Sequence, residues 1–348
     1  MSMNCGDPTG CGGDLPACRE LLYGGSKSFH AASLLLPATL RDPATALYAF
    51  CRVADDAIDG AGDSTAALEW IRRRLDLIYS GRPEDRAADR AFAAVVERHD
   101  IPRALPEALL EGFAWDAEGR RYATIQDLQC YAARVAGSVG VMMSLLMGQR
   151  DPRVLARASE LGVAMQLTNI ARDVGEDARA GRLYVPGDWL REAGIEAEAW
   201  LERPRFDARW QQPLERLLQQ ADLLYARAAE GIAWLPWRCR AGMHAARLLY
   251  AQIGAAVREN GCDSISVRAR VSLGRKLALL PEALASALQW RGALTGQLVE
   301  TRFLVDAVIA HRAPSVPLKA PPVPSRAEWL LQLFERLERE QLATRGSD

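Results

Sequence analysis

The chain has 348 residues, 49% hydrophobic and 25% charged, with 43 Lys and Arg against 44 Asp and Glu. That composition belongs to a globular protein, and a formal net charge of −1 leaves no electrostatic footprint for nucleic acid. Seven cysteines without C-x-x-C spacing argue against a disulfide framework or a zinc site and for a reducing cytoplasm.

In chain order, residues 1–16 are rich in Gly, Asp and Pro and read as a disordered tail. They lack a signal pattern, which fits a cytoplasmic protein. A first helix is expected from Ala17 to, or through, Ser26-Lys27-Ser28-Phe29. Pro37 and Asp42-Pro43 punctuate the chain before a helix that ends at Gly60 to Asp63. Further helices are expected over Ala66–Ser80, Arg86–His99, Pro106–Arg121 and, opened by the capping box at Thr124 to Asp127, as far as Met147. Pro152 starts a helix that ends near Ala178. Pro204, Pro213 and Pro236 bound or bend two more, and Gly261 reads as a C-terminal cap. Val271–Trp290, interrupted by Pro281, and Thr295–Ala310 complete an all-α domain over 17–311. Neither alternating strands nor a βαβ pattern occurs. The weakly polar run Val135 to Gly148 is too short to span a bilayer. Arg312 to Pro324 reads as an extended linker. Beyond it, Trp329, Leu330, Leu333, Phe334 and Leu337 form an apolar stripe that either packs on the body or touches a membrane surface.

Two helices carry the chemistry. Asn169, Asp173 and Asp177 recur every four residues, with Gln166 a turn earlier, so they share one helix face. Upstream, Tyr48, Arg52, Asp55 and Asp59 form a matching stripe. Carboxylates four apart repel by about 0.2–0.5 kcal/mol, and in helices this apolar they need a partner or a metal. Mg²⁺ binds through one or two carboxylates plus substrate phosphates. Two facing Asp stripes therefore suggest Mg²⁺, or Mn²⁺, clamping a diphosphate between helices, with Asp56 turned about 100° aside.

The chain resembles the squalene/phytoene synthases, the head-to-head prenyltransferases, and most of all their bacterial phytoene-forming members. The resemblance rests on Ser26 to Phe29, Tyr48-Ala49-Phe50-Cys51-Arg52, Asp55 to Asp59, Val135-Ala136-Gly137-Ser138-Val139-Gly140, Gln166 to Asp177 and Gly181-Arg182-Leu183-Tyr184-Val185-Pro186. It implies a single-domain helical bundle of the isoprenoid synthase type around a central cavity. It also implies condensation of two geranylgeranyl diphosphates, with farnesyl diphosphate and a squalene-type product as the alternative. NADPH is not expected.

By the same resemblance Ser26, Lys27, Ser28, Arg52, Arg172 and Lys276 contact diphosphate oxygens, and Asp55, Asp59, Asn169, Asp173 and Asp177 hold the metal, with Gln166 beside them. Carbocations need dry surroundings and π faces, for which Phe29 and Tyr48 are candidates, with Tyr184 closing the site. Gly137 and Gly140 serve either close helix packing or room for an isoprenoid tail. Gly175 either loosens its helix end or lets a diphosphate approach the backbone. The small Ser33 and Thr45 are expected at the far end of the tail tunnel, unless their hydroxyls simply bond to helix carbonyls. Peripheral contact with a membrane is expected of an enzyme whose product is a hydrocarbon.

Overall fold

The structure, a computed structural model, describes residues 13–25, 33–60, 64–288 and 291–311. Among these residues there are helices and connecting segments and no strand. The first helix, α1 (Leu15–Gly25), begins two residues before the expected Ala17, because Leu15 and Cys18 are buried. α2 (Ala38–Asp59) runs through Pro43, so the expected break at Asp42-Pro43 is absent. In the second turn a proline removes only one bond, to the carbonyl of Thr39.

α3 (Ser64–Tyr79), α4 (Ala87–His99) and α5 (Ala104–Ala117) pack around α2. Phe50 and Phe92 stack between α2 and α4 with ring centroids 4.3 Å apart. Arg74 and Asp89, both buried, form a two-bonded ion pair between α3 and α4.

The helix expected from Thr124 to Met147 is opened by the capping box, with Thr124 accepting from the Asp127 amide. It is not uniform, however. α6 (Ile125–Ala132) passes into a π-helical segment, Ala133–Gly137, and then into α7 (Ser138–Leu146). The wider turn has neighbours pressed on both sides. A Cβ on Gly162 would lie 2.2 Å from the Ala136 carbonyl oxygen, and one on Gly112 would lie 2.4 Å from Val135 Cγ1. Such widened turns gather at functional sites, and Val135 borders a cavity described below.

The central element is α8 (Pro152–Arg179), which packs against the π segment and α7, and against α11 (Gln211–Ile232) and α12 (Trp237–Glu259). Asp151 caps it by accepting from the Arg153 amide at 2.9 Å, and Pro152 fills its first turn, where a missing N–H costs nothing. α8 ends before Gly181, whose φ of +73° suits a residue without Cβ. The short α9 (Gly187–Glu192) and α10 (Ala197–Glu202) lead from α8 to α11. α12 ends before Gly261, which takes the expected left-handed conformation at φ +65°. The broken helix expected over Val271–Trp290 is α13 (Leu273–Ala278) and α14 (Leu280–Ser286), and α15 (Arg302–Ala310) closes the described chain.

Candidate active site

α2 and α8 turn their acidic stripes to one cavity of about 890 Å³. Tyr48, Arg52 and Asp55 border it from α2, and Gln166, Asn169, Arg172, Asp173 and Asp177 from α8. In both runs these residues recur at intervals of three or four, with Arg172 beside Asp173, so the helical repeat delivers them to one side. Asp59 ends α2, but its side chain lies outside the described residues, as do Ser26, Lys27, Ser28 and Phe29.

Several of the charges inside this cavity are already paired. Arg52 donates to Asp55 at 3.1 Å and reaches Asp56 at 2.6 Å. Arg172 holds both oxygens of Asp173, with Nε donating at 2.7 Å. Arg268 also binds both, at 2.9 and 3.2 Å, and reaches Glu176 at 3.0 Å. Among the described residues no three carboxylate, thiol or imidazole groups converge as a ready metal site. Burial and the charge of Asp173 push the Asp177 carboxyl up to about 7, against the pull of Arg182. The buried Oδ1 of Asn169 has no hydrogen-bond partner among the described residues.

Several lining residues escaped sequence reasoning. Asp116, at the end of α5, accepts from the hydroxyls of Tyr131 and Tyr184, both at 2.7 Å. The two rings stack with centroids 5.2 Å apart, and Tyr122 lies against them. Burial and the Asp116 charge raise the Tyr131 and Tyr184 hydroxyls well above the usual phenol range, so both remain donors. Arg182, Tyr250, Arg268 and Arg270 complete the polar wall beside Lys276. Arg270 and Lys276 have no ion-pair partner among the described residues. Each of these groups is isolated in sequence, without the repeated spacing that exposed the Asp stripes.

A second cavity, of about 220 Å³, shares Tyr48, Arg52, Asp55, Asp116, Tyr131 and Gln166 with this region and adds Cys51, Leu109, Phe113 and Val135. An apolar wall thus adjoins the charged one. Ser33 and Thr45 are buried but border neither cavity. The Thr45 hydroxyl donates to the Arg41 carbonyl at 2.8 Å, so only the size of Thr45 is left to act on anything else.

Of the two readings open for Gly137 and Gly140 the structure favours close packing, and it gives Gly175 a role that neither of its readings had. Gly140 is a packing position, because a Cβ there would sit 2.2 Å from the Ala158 carbonyl oxygen of α8. A Cβ on Gly137 would lie 3.3 Å from Leu304 Cδ1 and 3.4 Å from the Ser159 carbonyl oxygen, and neither glycine borders the two cavities. Gly175 lies inside the continuous helix α8 and borders neither cavity. Its amide donates to the Ser264 carbonyl at 3.0 Å, and a Cβ would meet the Ile265 backbone at 2.4 Å. It is the seat on which the segment carrying Arg268 rests.

Comparison with known proteins places this geometry. The model of the squalene/phytoene synthase family matches residues 22–275. A phytoene synthase of Rhodobacter capsulatus is 56% identical over 277 residues, covering 79% of this chain and 82% of the relative. One from Cereibacter sphaeroides is 49% identical over 341 residues, covering 93% and 94%. Among solved structures, a dehydrosqualene synthase in complex with ligand superposes with a TM-score of 0.72 at 31% identity, over 79% of this chain and 96% of that one. A squalene synthase from Alicyclobacillus acidocaldarius gives 0.67 at 27%, over 73% and 97%. With the match spanning both acidic helices and the basic segment that faces them, the chain belongs to the squalene/phytoene synthase family.

Proposed function

We propose that the protein joins two geranylgeranyl diphosphates head to head, through prephytoene diphosphate, to phytoene, with release of two diphosphates. The observation that carries this reading is the identity of 56% and 49% to relatives named phytoene synthase. The cavity supports it chemically, since a charged wall for diphosphates adjoins an apolar one for isoprenoid tails.

The residues present fit a hard divalent cation. Asn169 brings a buried oxygen without a partner, on the same helix face as the carboxylates of Asp173 and Asp177, and an all-oxygen donor set suits Mg²⁺ or Mn²⁺. Asp55 and Asp59 would complete the set from α2. When bound, such an ion neutralises the departing diphosphate. Arg52, Arg172, Arg268, Arg270 and Lys276 bind the diphosphate oxygens as fixed cations, joined by Ser26, Lys27 and Ser28 on the family's pattern.

In the first half-reaction the donor's C–O bond breaks, its electron pair leaves on diphosphate, and the acceptor's double bond attacks the allylic cation. Loss of a proton closes the cyclopropane. In the second, the remaining diphosphate leaves, the cation rearranges, and a second proton is lost. The faces of Tyr48, Tyr131 and Tyr184, with Phe29, shield these cations from water. Burial pushes the Tyr48 hydroxyl up to about 12, so it stays protonated near neutrality. That favours released diphosphate over Tyr48 as the proton acceptor.

Farnesyl diphosphate with a squalene-type product is the second reading, favoured by the names of the superposed structures. Product analysis with both diphosphates, with and without NADPH, decides between them. Phytoene from the twenty-carbon substrate without NADPH is expected, and a thirty-carbon product as the main outcome would refute the first reading. No described helix is long and apolar enough to cross a membrane; the apolarity of a hydrocarbon product is what supports peripheral contact with a bilayer.

A further inference from the structure

The carboxylate of Asp173 is saturated. Its two oxygens offer about four lone-pair sites, and two guanidinium forks fill them. Arg172 donates through Nε to Oδ1 at 2.7 Å and through Nη2 to Oδ2. Arg268 donates through Nε to Oδ1 at 2.9 Å and through Nη2 to Oδ2 at 3.2 Å. Mg²⁺ or Mn²⁺ coordination uses the same lone pairs, so Asp173 can accept either ion only after one fork withdraws. The forks do not hold equally. Arg172 is the chain neighbour of Asp173, and its side chain is 18% exposed against 41% for Arg268. An ion pair with an exposed partner is the weaker of the two, and the longer bonds of Arg268 agree with that. Arg268 also has a second acceptor, Glu176, at 3.0 Å. Its segment is held separately, by the Gly175 amide on the Ser264 carbonyl at 3.0 Å, so withdrawal needs only rotation of the side chain.

We infer that Arg268 keeps the divalent ion's place at Asp173 and yields it when a diphosphate arrives to take up the guanidinium. Arg268 then turns from the carboxylate to the diphosphate oxygens, beside Arg270 and Lys276 on the same wall of the cavity. Asp173 gives up one positive partner and gains another, so its charge is compensated throughout. The exchange couples the two ligands. Ion binding alone has to break two charge-assisted bonds, whereas with diphosphate present those bonds are replaced. This role of Arg268 rests on the prenyl-transfer reading for the identity of the anion, but the competition at Asp173 does not.

The test uses the full-length protein, Mn²⁺ and inorganic pyrophosphate. Binding of Mn²⁺ alone is read from the paramagnetic resonance of the unbound ion, and pyrophosphate retention from equilibrium dialysis with Mn²⁺ and with EDTA. Wild type is compared with Arg268→Gln and with Arg270→Gln. The second variant removes the same charge from the same wall but opens no lone pair on Asp173. Arg268→Gln is expected to bind Mn²⁺ alone about fivefold more tightly than wild type, and Arg270→Gln less than about twofold more tightly. Coupling between two ligands is reciprocal, so the factor by which Mn²⁺ improves pyrophosphate retention should fall by about fivefold in Arg268→Gln. The complex that Mn²⁺ and pyrophosphate form in solution is common to all the proteins and cancels. Arg268→Lys keeps the charge without the fork; it should fall between wild type and Arg268→Gln, and it supplies the comparison if circular dichroism shows the glutamine variant unfolded. Mn²⁺ binding that is unchanged or weaker in a folded Arg268 variant, or equal tightening in Arg270→Gln, overturns the exchange at Asp173 alone. Wild-type protein that retains no pyrophosphate even with Mn²⁺ refutes the diphosphate site, and the catalytic reading with it.

Discussion

Gly175→Ala tests whether the seat beneath the Ser264–Arg268 segment organises the site. The added Cβ would lie 2.4 Å from the Ile265 carbonyl oxygen, 2.8 Å from its Cα and 2.9 Å from its carbonyl carbon. All three are backbone atoms, so no side chain can rotate aside. Real Cβ contacts essentially never fall below 3.0 Å, so the segment must retreat by at least about 0.6 Å. The amide bond from Gly175 to Ser264, now 3.0 Å, lengthens with it. Arg268, three residues from Ile265, carries the contacts to Asp173 and Glu176 and moves too. Misplacement of about 1 Å near a reacting centre costs about 100-fold, so a loss of about 10- to 100-fold in kcat/KM is expected. That equals about 1.4–2.7 kcal/mol of transition-state stabilisation.

Stability should change less. Overpacking costs about 1–3 kcal/mol, offset by up to ~1 kcal/mol from replacing a helical glycine with alanine. Gly140→Ala is the control. Its clash with the Ala158 carbonyl is tighter, at 2.2 Å, but lies about 25 Å down α8 from Gly175 at 1.5 Å per residue. The assay pairs steady-state kinetics with thermal unfolding for both variants. Gly175→Ala with wild-type kcat/KM, or a Gly140→Ala that loses as much activity for the same change in Tm, would refute the reasoning.

Asp55→Asn and Asp173→Asn should each nearly abolish turnover with helix content unchanged, and excess EDTA should do the same reversibly. Full activity in EDTA would remove the metal from the proposal. Ser33→Phe/Thr45→Trp should shift preference from the twenty-carbon to the fifteen-carbon diphosphate. A folded double variant with unchanged preference would show that tail length is read elsewhere. His244 is buried, neither ring nitrogen has a partner among the described residues, and burial lowers its pKa to about 4. Since an unfolded histidine titrates near 6.5, the unfolded chain binds a proton in that window that the folded chain refuses. Stability should therefore fall as pH drops from about 6.5 to about 4, by about 1–3 kcal/mol. Denaturant midpoints across this range should show a shallower slope for a folded His244→Gln; an identical slope would count against His244 as its source.

The sequence by itself determined what is local and periodic. A four-residue recurrence of Asn169, Asp173 and Asp177, and of Asp55 and Asp59, follows from the helical repeat alone, and caps such as Asp151 and Thr124 act within one turn. Helix starts and stops were therefore legible to within a few residues, apart from the last helix, which starts at Arg302 rather than Thr295, and except where packing overrode local preference. Pro43 sits inside α2, and neighbours on both sides coincide with the widened turn at Ala133–Gly137. Only tertiary structure could bring Asp116 between Tyr131 and Tyr184, or carry Arg268 across 95 residues of chain to Asp173. Each of those is a single side chain whose partner is distant in sequence, so no spacing announces it. The glycines show the same division. A missing Cβ is visible at Gly140 and Gly175 in the sequence, but which backbone it admits, that of α8 or that of Ile265, depends on which segment the fold lays against it.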